Sequence, residues 1–265
     1  MTSMEQLAAK AQLFHGLHAG PGILVMANAW DAASAQRFEA AGFPAIATTS
    51  GGVAAAVGYA DHEAAPVEEM LAAAARIVRA VSVPVTVDFE AGYRLPPSEI
   101  ARRLIDIGAV GLNLEDTGHH GTPGLVPAEV QAERLAAVKR EARARGVDLF
   151  LNARVDVFFR REESVESQLA EGLRRARLYQ EAGADCIYPI GLSDPAAIRA
   201  LVAAVQVVNV TIRRGGLISV AGAAQAGARR VTYATSIFRE MMTALDQIAT
   251  DIRASIPSQP FGHTG

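Results

Sequence analysis

The stretch EAGADCI, residues 181–187, contains the helix-to-strand transition that decides the fold. A helical pattern ends in its first residues, Gly183 can take the left-handed backbone conformation that stops a helix, and a short apolar run follows. The same transition occurs three more times, as EAAGFPAI (39–46), DIGAVGL (106–112) and QAGARRV (225–231). We therefore interpret the chain as a repeated unit of helix, glycine stop and strand.

Eight short runs rich in β-branched residues have the length and composition of buried strands. These runs are residues 23–27, 43–48, 83–88, 109–115, 147–153, 184–190, 205–210 and 229–235. Helical patterns lie between them, for example PPSEIARRLIDIGA (96–109), whose apolar residues share one helix face. Regular alternation predicts a parallel sheet of the α/β class, and eight units predict a closed (β/α)₈ TIM-type barrel.

No linker or compositional break interrupts the repeat, so residues 1–265 are expected to form a single barrel domain. Within it, residues 1–20 form a leading helix and residues 21–235 contain the barrel strands. Residues 236–256 form the eighth helix, and residues 257–265 are a polar tail.

Charge and composition exclude several classes of function. The formal net charge is -3 and no basic block is present, so neither nucleic acid nor a membrane surface is an expected partner. No apolar run reaches the roughly 18 residues of a membrane span. The single cysteine, Cys186, cannot form an intramolecular disulfide and lies in an apolar run, which favours a reducing, cytoplasmic location.

Carboxylates follow two neighbouring strands, where the active sites of such barrels are built. Asp88 and Glu90 lie at the end of the run VTVDFEAGY (85–93), and Glu115 ends the next strand. Alternate side chains of a strand share a face, so the three carboxylates are expected to converge. Converging carboxylates repel one another unless a cation neutralises them, and oxygen ligands suit Mg²⁺. The alternative is that these acids cap helices or pair with arginines.

Two further segments offer groups for an anionic substrate. Arg154, in LNARVDVFF (151–159), presents a planar fork that suits a carboxylate or phosphonate; its alternative role is an ion pair with Glu115 or Asp88. The segment TTSGGVA (48–54) presents successive backbone N–H groups, although many such turns bind nothing. A metal and an arginine together favour a 2-oxo acid that chelates the ion through two oxygens, with the metal stabilising an enolate.

Two loops are candidates for lids over the barrel mouth: TGHHGTPGLV (117–126) and the stretch 50–66, which holds Asp61 and His62. The alternative for the first is a plain exposed connection. Only two lysines occur, Lys10 in the leading helix and Lys139 on the outer face of the fourth helix. Neither ends a strand, so a Schiff-base aldolase is excluded.

Several of these motifs together resemble the isocitrate lyase/phosphoenolpyruvate mutase superfamily over roughly residues 10 to 250. They are VTVDFEAGY, GLNLEDT (111–117), LNARVDVF, NAWDAASA (28–35) and TTSGGVAAAVGYADH (48–62). The resemblance implies a (β/α)₈ barrel, usually a homotetramer whose eighth helix is exchanged between paired subunits. It also implies Mg²⁺-dependent C–C or P–C bond chemistry through a pyruvate-type enolate.

The resemblance implies roles for particular residues. Asp88, Glu90 and Glu115 would hold Mg²⁺, or Mn²⁺ in its place, partly through water. Ser50, Gly51 and Gly52 would bind the substrate carboxylate and ketone oxygen, Arg154 would bind the anionic end, and Asp61 would lie near the metal. The full substrate-binding set is Trp30, Ser50, Gly51, Gly52, Asp88, Arg154 and Asn209, and the catalytic set is Arg154, Glu115, Asp61, His119 and His120.

The chain departs from the superfamily pattern in its loop. The lyase branches carry K-[KR]-C-G-H after the Glu-Asp pair, whereas this loop has neither Cys nor Lys and leaves His119 or His120 as a substitute proton donor. The mutase and phosphonopyruvate hydrolase branches place a Lys with Asn-Ser or Thr there, and only Thr117 and Thr122 are available. Glu90 also replaces the second Asp of the usual Asp-x-Asp.

These observations favour a Mg²⁺-dependent C–C lyase or decarboxylase acting on a small 2-oxo or 2-hydroxy carboxylic acid. One alternative is P–C bond chemistry of the phosphonopyruvate hydrolase or phosphoenolpyruvate mutase type. Another is a catalytically idle protein that binds a 2-oxo acid. In each case we expect a homo-oligomer, either a tetramer or a dimer.

Overall fold

A computed structural model of the protein describes residues 3–121, 124–159 and 164–256. The helices are α1 (Met4–Ala19), α2 (Ala32–Ala40), α3 (Ser50–Ala56), α4 (Val67–Ala80), α5 (Pro97–Asp106), α6 (Ala128–Ala144), α7 (Val165–Glu181), α8 (Pro195–Ala204), α9 (Val220–Gln225) and α10 (Ser236–Ser255). The strands are β1 (Leu24–Val25), β2 (Ala27–Ala29), β3 (Ile46–Thr48), β4 (Val85–Asp88), β5 (Gly111–Glu115), β6 (Thr117–Gly118), β7 (Gly124–Leu125), β8 (Phe150–Val155), β9 (Cys186–Pro189), β10 (Asn209–Thr211) and β11 (Arg230–Thr232). Each of the eight predicted runs overlaps at least one of these strands, and the run 23–27 overlaps both β1 and β2. The predicted polar tail lies outside the described residues.

The sheet is parallel and curled. Six strands pair in the order β2-β3-β4-β5-β8-β9, and three pair in the order β1-β11-β10, with every pairing in both sheets parallel. A bridge between Ile187 and Val208 joins β9 to the segment entering β10, and only Met26 separates β1 from β2. The predicted α/β class and parallel sheet of the barrel type are therefore confirmed.

The predicted glycine stops lie between helix and strand. The backbone φ angles of Gly42, Gly108, Gly183 and Gly227 are 88°, 83°, 97° and 92°. Residues that carry a Cβ are disfavoured in this left-handed region, so the backbone conformation at these four positions favours glycine. At Gly227 a Cβ would also lie 2.8 Å from Cγ1 of Val202. Local sequence therefore sets where each of these helices turns back into the sheet.

Two predictions about chain segments are wrong in detail. Residues 117–126, expected to be a loop, contain a short antiparallel hairpin in which Thr117 pairs with Leu125. Lys139, expected on an outer face, is buried, and its Nζ lies 2.8 Å from Asp148 and 2.5 Å from Asp185. Both aspartates precede strands, so Lys139 lies at the end of the sheet opposite the candidate site.

None of the helices in the described ranges is long and apolar enough to span a bilayer.

Helix α1 packs its buried face against β8 through aromatic rings. The His18 ring stacks on Phe150 with centroids 3.9 Å apart, and its Nδ1–H donates to the Phe14 carbonyl oxygen at 2.8 Å. Burial, reinforced by the charge of Arg230, lowers the pKa of His18 to about 3. The folded protein therefore keeps this imidazole neutral over most of the accessible pH range.

Acid is expected to weaken the protein through His18. The unfolded chain takes up a proton near pH 6.5 whereas the folded chain does not, so stability falls as pH drops below about 6.5, by about 1.4 kcal/mol per pH unit for this group alone. Urea unfolding at pH 7 and pH 5 measures the loss. His18→Phe keeps an aromatic ring against Phe150 and should show a smaller loss over that interval. An equal loss in both proteins would contradict this role.

Candidate active site

A cavity of about 610 Å³ opens at the carboxyl ends of the strands. Several predicted site residues line it together with polar residues of neighbouring strands: Asn28, Ser50, Asp61, His62, Asp88, Glu90, Asn113, Glu115, Arg154, Tyr188 and Thr211. The position agrees with the general rule for parallel barrels. Carboxylates from β4, β5 and the loops around them thus share one cavity.

Asp88, the last residue of β4, is held from both sides. Its carboxylate accepts the Ser50 backbone N–H at 3.2 Å and the Asn113 side-chain amide at 3.3 Å. Asn113 in turn accepts from the Asn152 amide at 2.7 Å, and these three residues lie in one row across β4, β5 and β8. The row fixes the direction of the Asp88 carboxylate before any ligand binds.

Glu90 lies in the tight turn after β4 and is only 2% exposed. Its φ of 48° is rare for a residue with a side chain, and such strained backbone is often found at functional sites. The Tyr93 hydroxyl donates to one carboxylate oxygen, and the Glu63 backbone N–H donates to the other at 2.7 Å. Burial raises the pKa of Glu90 to about 7, so removing it from water weakens its charged form.

Glu115 and Arg154 face each other across β5 and β8 and form an ion pair. Arg154 also donates from two nitrogens to Asp156, at 2.7 and 2.9 Å. Burial raises the pKa of Glu115 to about 7, although Arg154 opposes the rise. Burial acts to lower the pKa of Arg154, but Asp156 and Glu115 outweigh it and the net shift is upward. The ion pair between Arg154 and Glu115, which was the alternative role predicted for Arg154, is therefore formed. Asp156 is a second partner of Arg154 and was not among the predicted site residues.

Asp116, next to Glu115, supports the site from outside the cavity. It is fully buried and accepts from Arg175 at 2.9 Å, from the Tyr179 hydroxyl at 2.8 Å and from the Asp156 backbone N–H at 2.9 Å. Burial and the nearby charge of Asp156 raise the pKa of Asp116. Helix α7 is thereby tied to the ends of β5 and β8. Arg175 lies 59 residues along the chain from Asp116, and no sequence signal connects the two.

The segment predicted to bind substrate oxygens through Ser50, Gly51 and Gly52 begins a helix. A Cβ on Gly51 would lie 2.6 Å from Oδ2 of Asp61, so glycine leaves room for that carboxylate. A Cβ on Gly52 would lie 3.0 Å from Cβ of Trp30, so this glycine allows close packing. Of this segment only Ser50 lines the cavity; Gly51, Gly52 and Trp30 do not, and the binding roles of all four residues stay predictions.

The remaining candidates fall in three places. Asn209, the first residue of β10, is buried, its amide donates to the Thr232 hydroxyl at 3.2 Å, and it is not among the residues that line the cavity. His119 contacts Glu115, and that contact raises the pKa of His119. His120 lies 2.9 Å from Glu63, and both histidines line a second, smaller hollow. Of the two candidate proton donors, only His119 contacts an acid of the main cavity, and Thr122 lies outside the described residues.

The charges of the site fit a bound divalent cation. Asp61, Asp88, Glu90 and Glu115 line one cavity together with Arg154, Arg213 and Arg239. Arg154 is shared between Glu115 and Asp156, and no ion pair of the described residues joins Arg213 or Arg239 to these four acids. Oδ1 of Asp61 is buried without a hydrogen-bond partner among the described residues. Buried carboxylates normally have a compensating partner, so the surplus suits a cation. One group of described side chains, His62, Glu90 and His119, has its ligand atoms all within 4.8 Å; Glu90 is the only member of the predicted metal set in that group.

Comparison with known proteins gives consistent matches. Residues 14–253 match the family model described as phosphoenolpyruvate phosphomutase. An uncharacterized protein of Mycobacterium tuberculosis is 34% identical over 182 residues, which span 69% of this chain and 66% of that protein. The 2-methylisocitrate lyase of Escherichia coli is 31% identical over 241 residues, which span 85% of this chain and 77% of the lyase. A crystal structure of a provisionally assigned phosphonomutase from Burkholderia cenocepacia J2315 superposes with a TM-score of 0.83 at 39% identity, covering 91% of this chain and 99% of that one.

Proposed function

Since the chain belongs to the phosphoenolpyruvate phosphomutase family, we propose that it is a Mg²⁺-dependent C–C lyase or decarboxylase acting on a small 2-oxo or 2-hydroxy carboxylic acid. The superfamily comprises lyases and mutases that act on small carboxylic acids. The observation that carries the proposal is the group of four carboxylates in the cavity, from Asp61, Asp88, Glu90 and Glu115, of which only Glu115 is ion-paired with an arginine among the described residues.

In this proposal Asp88, Glu90 and Glu115 would hold Mg²⁺ or Mn²⁺, and the ion would supply Lewis-acid stabilisation of negative charge on a keto oxygen. Asp88 is already oriented by Ser50 and Asn113, so little reorganisation precedes binding. The Arg154 guanidinium lines the cavity and attracts the anionic end of the substrate, while Asp156 fixes its plane. Ser50, Gly51 and Gly52 keep their proposed contacts with the substrate carboxylate and ketone oxygen, next to Asp61.

His119 is the proposed proton donor in place of the lyase cysteine. It contacts Glu115, which raises its pKa and increases the protonated fraction at neutral pH. General acid catalysis is most efficient when the pKa of the proton donor lies near the pH at which the enzyme works. His120 does not have this position because it pairs with Glu63, which does not line the main cavity.

A panel of oxo and hydroxy acids tests the proposal. Each acid is added with Mg²⁺ and scored first by thermal shift and then by release of pyruvate or glyoxylate. We expect one acid both to stabilise the protein and to yield product, and EDTA to abolish both effects. Stabilisation by an acid without product from any of them would support the idle binder instead.

The second candidate is P–C bond chemistry, which the description of the family model and the phosphonomutase assigned in Burkholderia favour. Phosphonopyruvate is the substrate to test, and phosphorus-31 NMR follows the fate of its phosphorus. A new phosphorus signal that requires this protein would establish the second candidate. An unchanged spectrum would remove it.

We further propose that the protein is a cytoplasmic, single-domain (β/α)₈ barrel that assembles as a homotetramer or dimer through α10. None of the 20 residues of α10 is buried in the single chain. Met241, Leu245, Ile248 and Ile252 form a stripe along one face, and each is between 51% and 60% exposed. An apolar stripe of this kind marks an interface, and a second copy of the chain is the occupant we propose.

Leu245→Arg is expected to reduce the oligomer to smaller species, because the substitution places a charge in the middle of the apolar stripe. Light scattering coupled to size exclusion measures the mass. Thr250→Arg is the matched control, since Thr250 is exposed on the opposite face of the same helix. Retention of the full mass by Leu245→Arg, or equal loss in both variants, would contradict an interface at this stripe.

A further inference from the structure

Three potential metal ligands come from three separate segments: His62 and Glu90 line the main cavity, and His119 lines the smaller hollow. His62 lies in the connection between α3 and α4, Glu90 in the turn after β4, and His119 directly after β6. Their ligand atoms all lie within 4.8 Å of one another, and the two imidazole rings are tilted by 40° with centroids 5.1 Å apart. A single ion could therefore contact all three after small side-chain movements.

The donor set determines which ion fits. Two imidazole nitrogens and one carboxylate form a common three-ligand set for Zn²⁺, which keeps further positions for water. Mg²⁺ binds oxygen ligands and has little preference for imidazole. We propose that His62, Glu90 and His119 form a Zn²⁺ site, which shares Glu90 with the all-carboxylate site proposed for Mg²⁺ and differs from it by two imidazole ligands.

The surroundings support binding at these residues. Glu115 contacts Nε2 of His119, and a carboxylate on one imidazole nitrogen is the usual support for a histidine that binds metal through the other. Glu90 is oriented by the Tyr93 hydroxyl and by the Glu63 backbone N–H. Asp61 and Glu115 add negative charge nearby, which favours a cation.

The backbone adds an independent observation. His62 and Glu63 have φ angles of 69° and 56°, and Glu90 has 48°, so two of the three ligand positions lie in left-handed backbone without being glycine. This conformation costs free energy and persists where the surrounding structure requires it, often at ligand sites. In this case it brings the segment around His62 to the turn that holds Glu90.

Binding of Zn²⁺ has a consequence for catalysis. The ion would occupy His119, the proposed proton donor, and Glu90, a proposed Mg²⁺ ligand, so Zn²⁺ is expected to inhibit turnover. It would also join the segment around His62 to the hairpin of β6 and β7. The inhibition rests on the proposed function, whereas the binding itself does not.

The test measures binding without an activity assay. Tag-free full-length protein is stripped with a chelator and titrated with Co²⁺, which reports imidazole ligation by visible absorption, and Zn²⁺ then competes for the site. We expect one ion per chain, retained in excess Mg²⁺. His62→Gln and His119→Gln should each weaken Co²⁺ binding at least about tenfold. His120→Gln is the matched control, since His120 pairs with Glu63 and is not in the group, and it should bind as the unmodified protein does.

Absence of Co²⁺ absorption bands in the unmodified protein would overturn the proposal, as would displacement of Co²⁺ by Mg²⁺. Equal weakening by His120→Gln and His119→Gln would also overturn it. Failure of the proposed function looks different: Co²⁺ binding would remain intact and depend on His62 and His119, while no acid in the substrate panel gave product.

Discussion

Asp88→Asn is expected to reduce turnover at least about 100-fold, since loss of a direct metal ligand should cost at least as much as loss of a group that supports one. The substitution removes one negative charge from the cavity but keeps the shape of the side chain. Asparagine still offers an oxygen to the Ser50 N–H or the Asn113 amide, so the row across β4, β5 and β8 can persist. Steady-state rates with the active acid measure the loss, and stabilisation of the protein by Mg²⁺ should disappear in parallel.

Asp106→Asn is the matched control for this experiment. Asp106 is an exposed residue of α5 that pairs with Arg102 at 2.7 Å and does not line the cavity. It should retain normal rates and the normal response to Mg²⁺. Full turnover by Asp88→Asn would show that the metal and substrate are held elsewhere, whereas loss of the folded state would be visible in circular dichroism as a separate failure.

The fold could be predicted because its signals are local. Each glycine stop is set by the φ angle of one residue, as at Gly183, and each strand by a short apolar run. Hairpin β6–β7 was missed because its strands have two residues each and its sequence is rich in glycine. The burial of Lys139 was missed for a different reason: its partners Asp148 and Asp185 lie on later segments, which the pattern of α6 alone does not reveal.

The site could be predicted only in part. Asp88 and Glu115 could be predicted as site residues because the sequence pattern shows where β4 and β5 end. The prediction could not show how Arg154 divides its guanidinium between Glu115 and Asp156, because that depends on side-chain packing across strands. The position of His62 beside Glu90 and His119 likewise depends on where the connection after α3 returns to the cavity.

The buried pair of Arg175 and Asp116 shows how the site depends on a distant helix. Arg175→Met is expected to destabilise the protein by about 3 to 5 kcal/mol, because the change removes the cation and leaves Asp116 buried with its charge. The Val126 carbonyl oxygen also loses a donor at 2.9 Å. Urea unfolding measures the change in the free energy of unfolding. Since Asp116 accepts the Asp156 N–H, and Asp156 holds Arg154, turnover should fall as well.

Arg174→Met is the matched control, one residue away on α7. The Arg174 guanidinium makes bonds of 2.7 Å to Glu171 and Glu129, but its side chain is half-exposed. Exposed ion pairs contribute about 0 to 1 kcal/mol, so this variant should remain close to the original stability.

Burial already raises the pKa of Asp116, and loss of Arg175 raises it further, so the unfavourable charge is present at high pH and is lost as pH falls. The loss in free energy of unfolding caused by Arg175→Met should therefore become smaller as pH falls. A loss that does not change with pH, or one equalled by Arg174→Met, would mean that Arg175 contributes through packing alone.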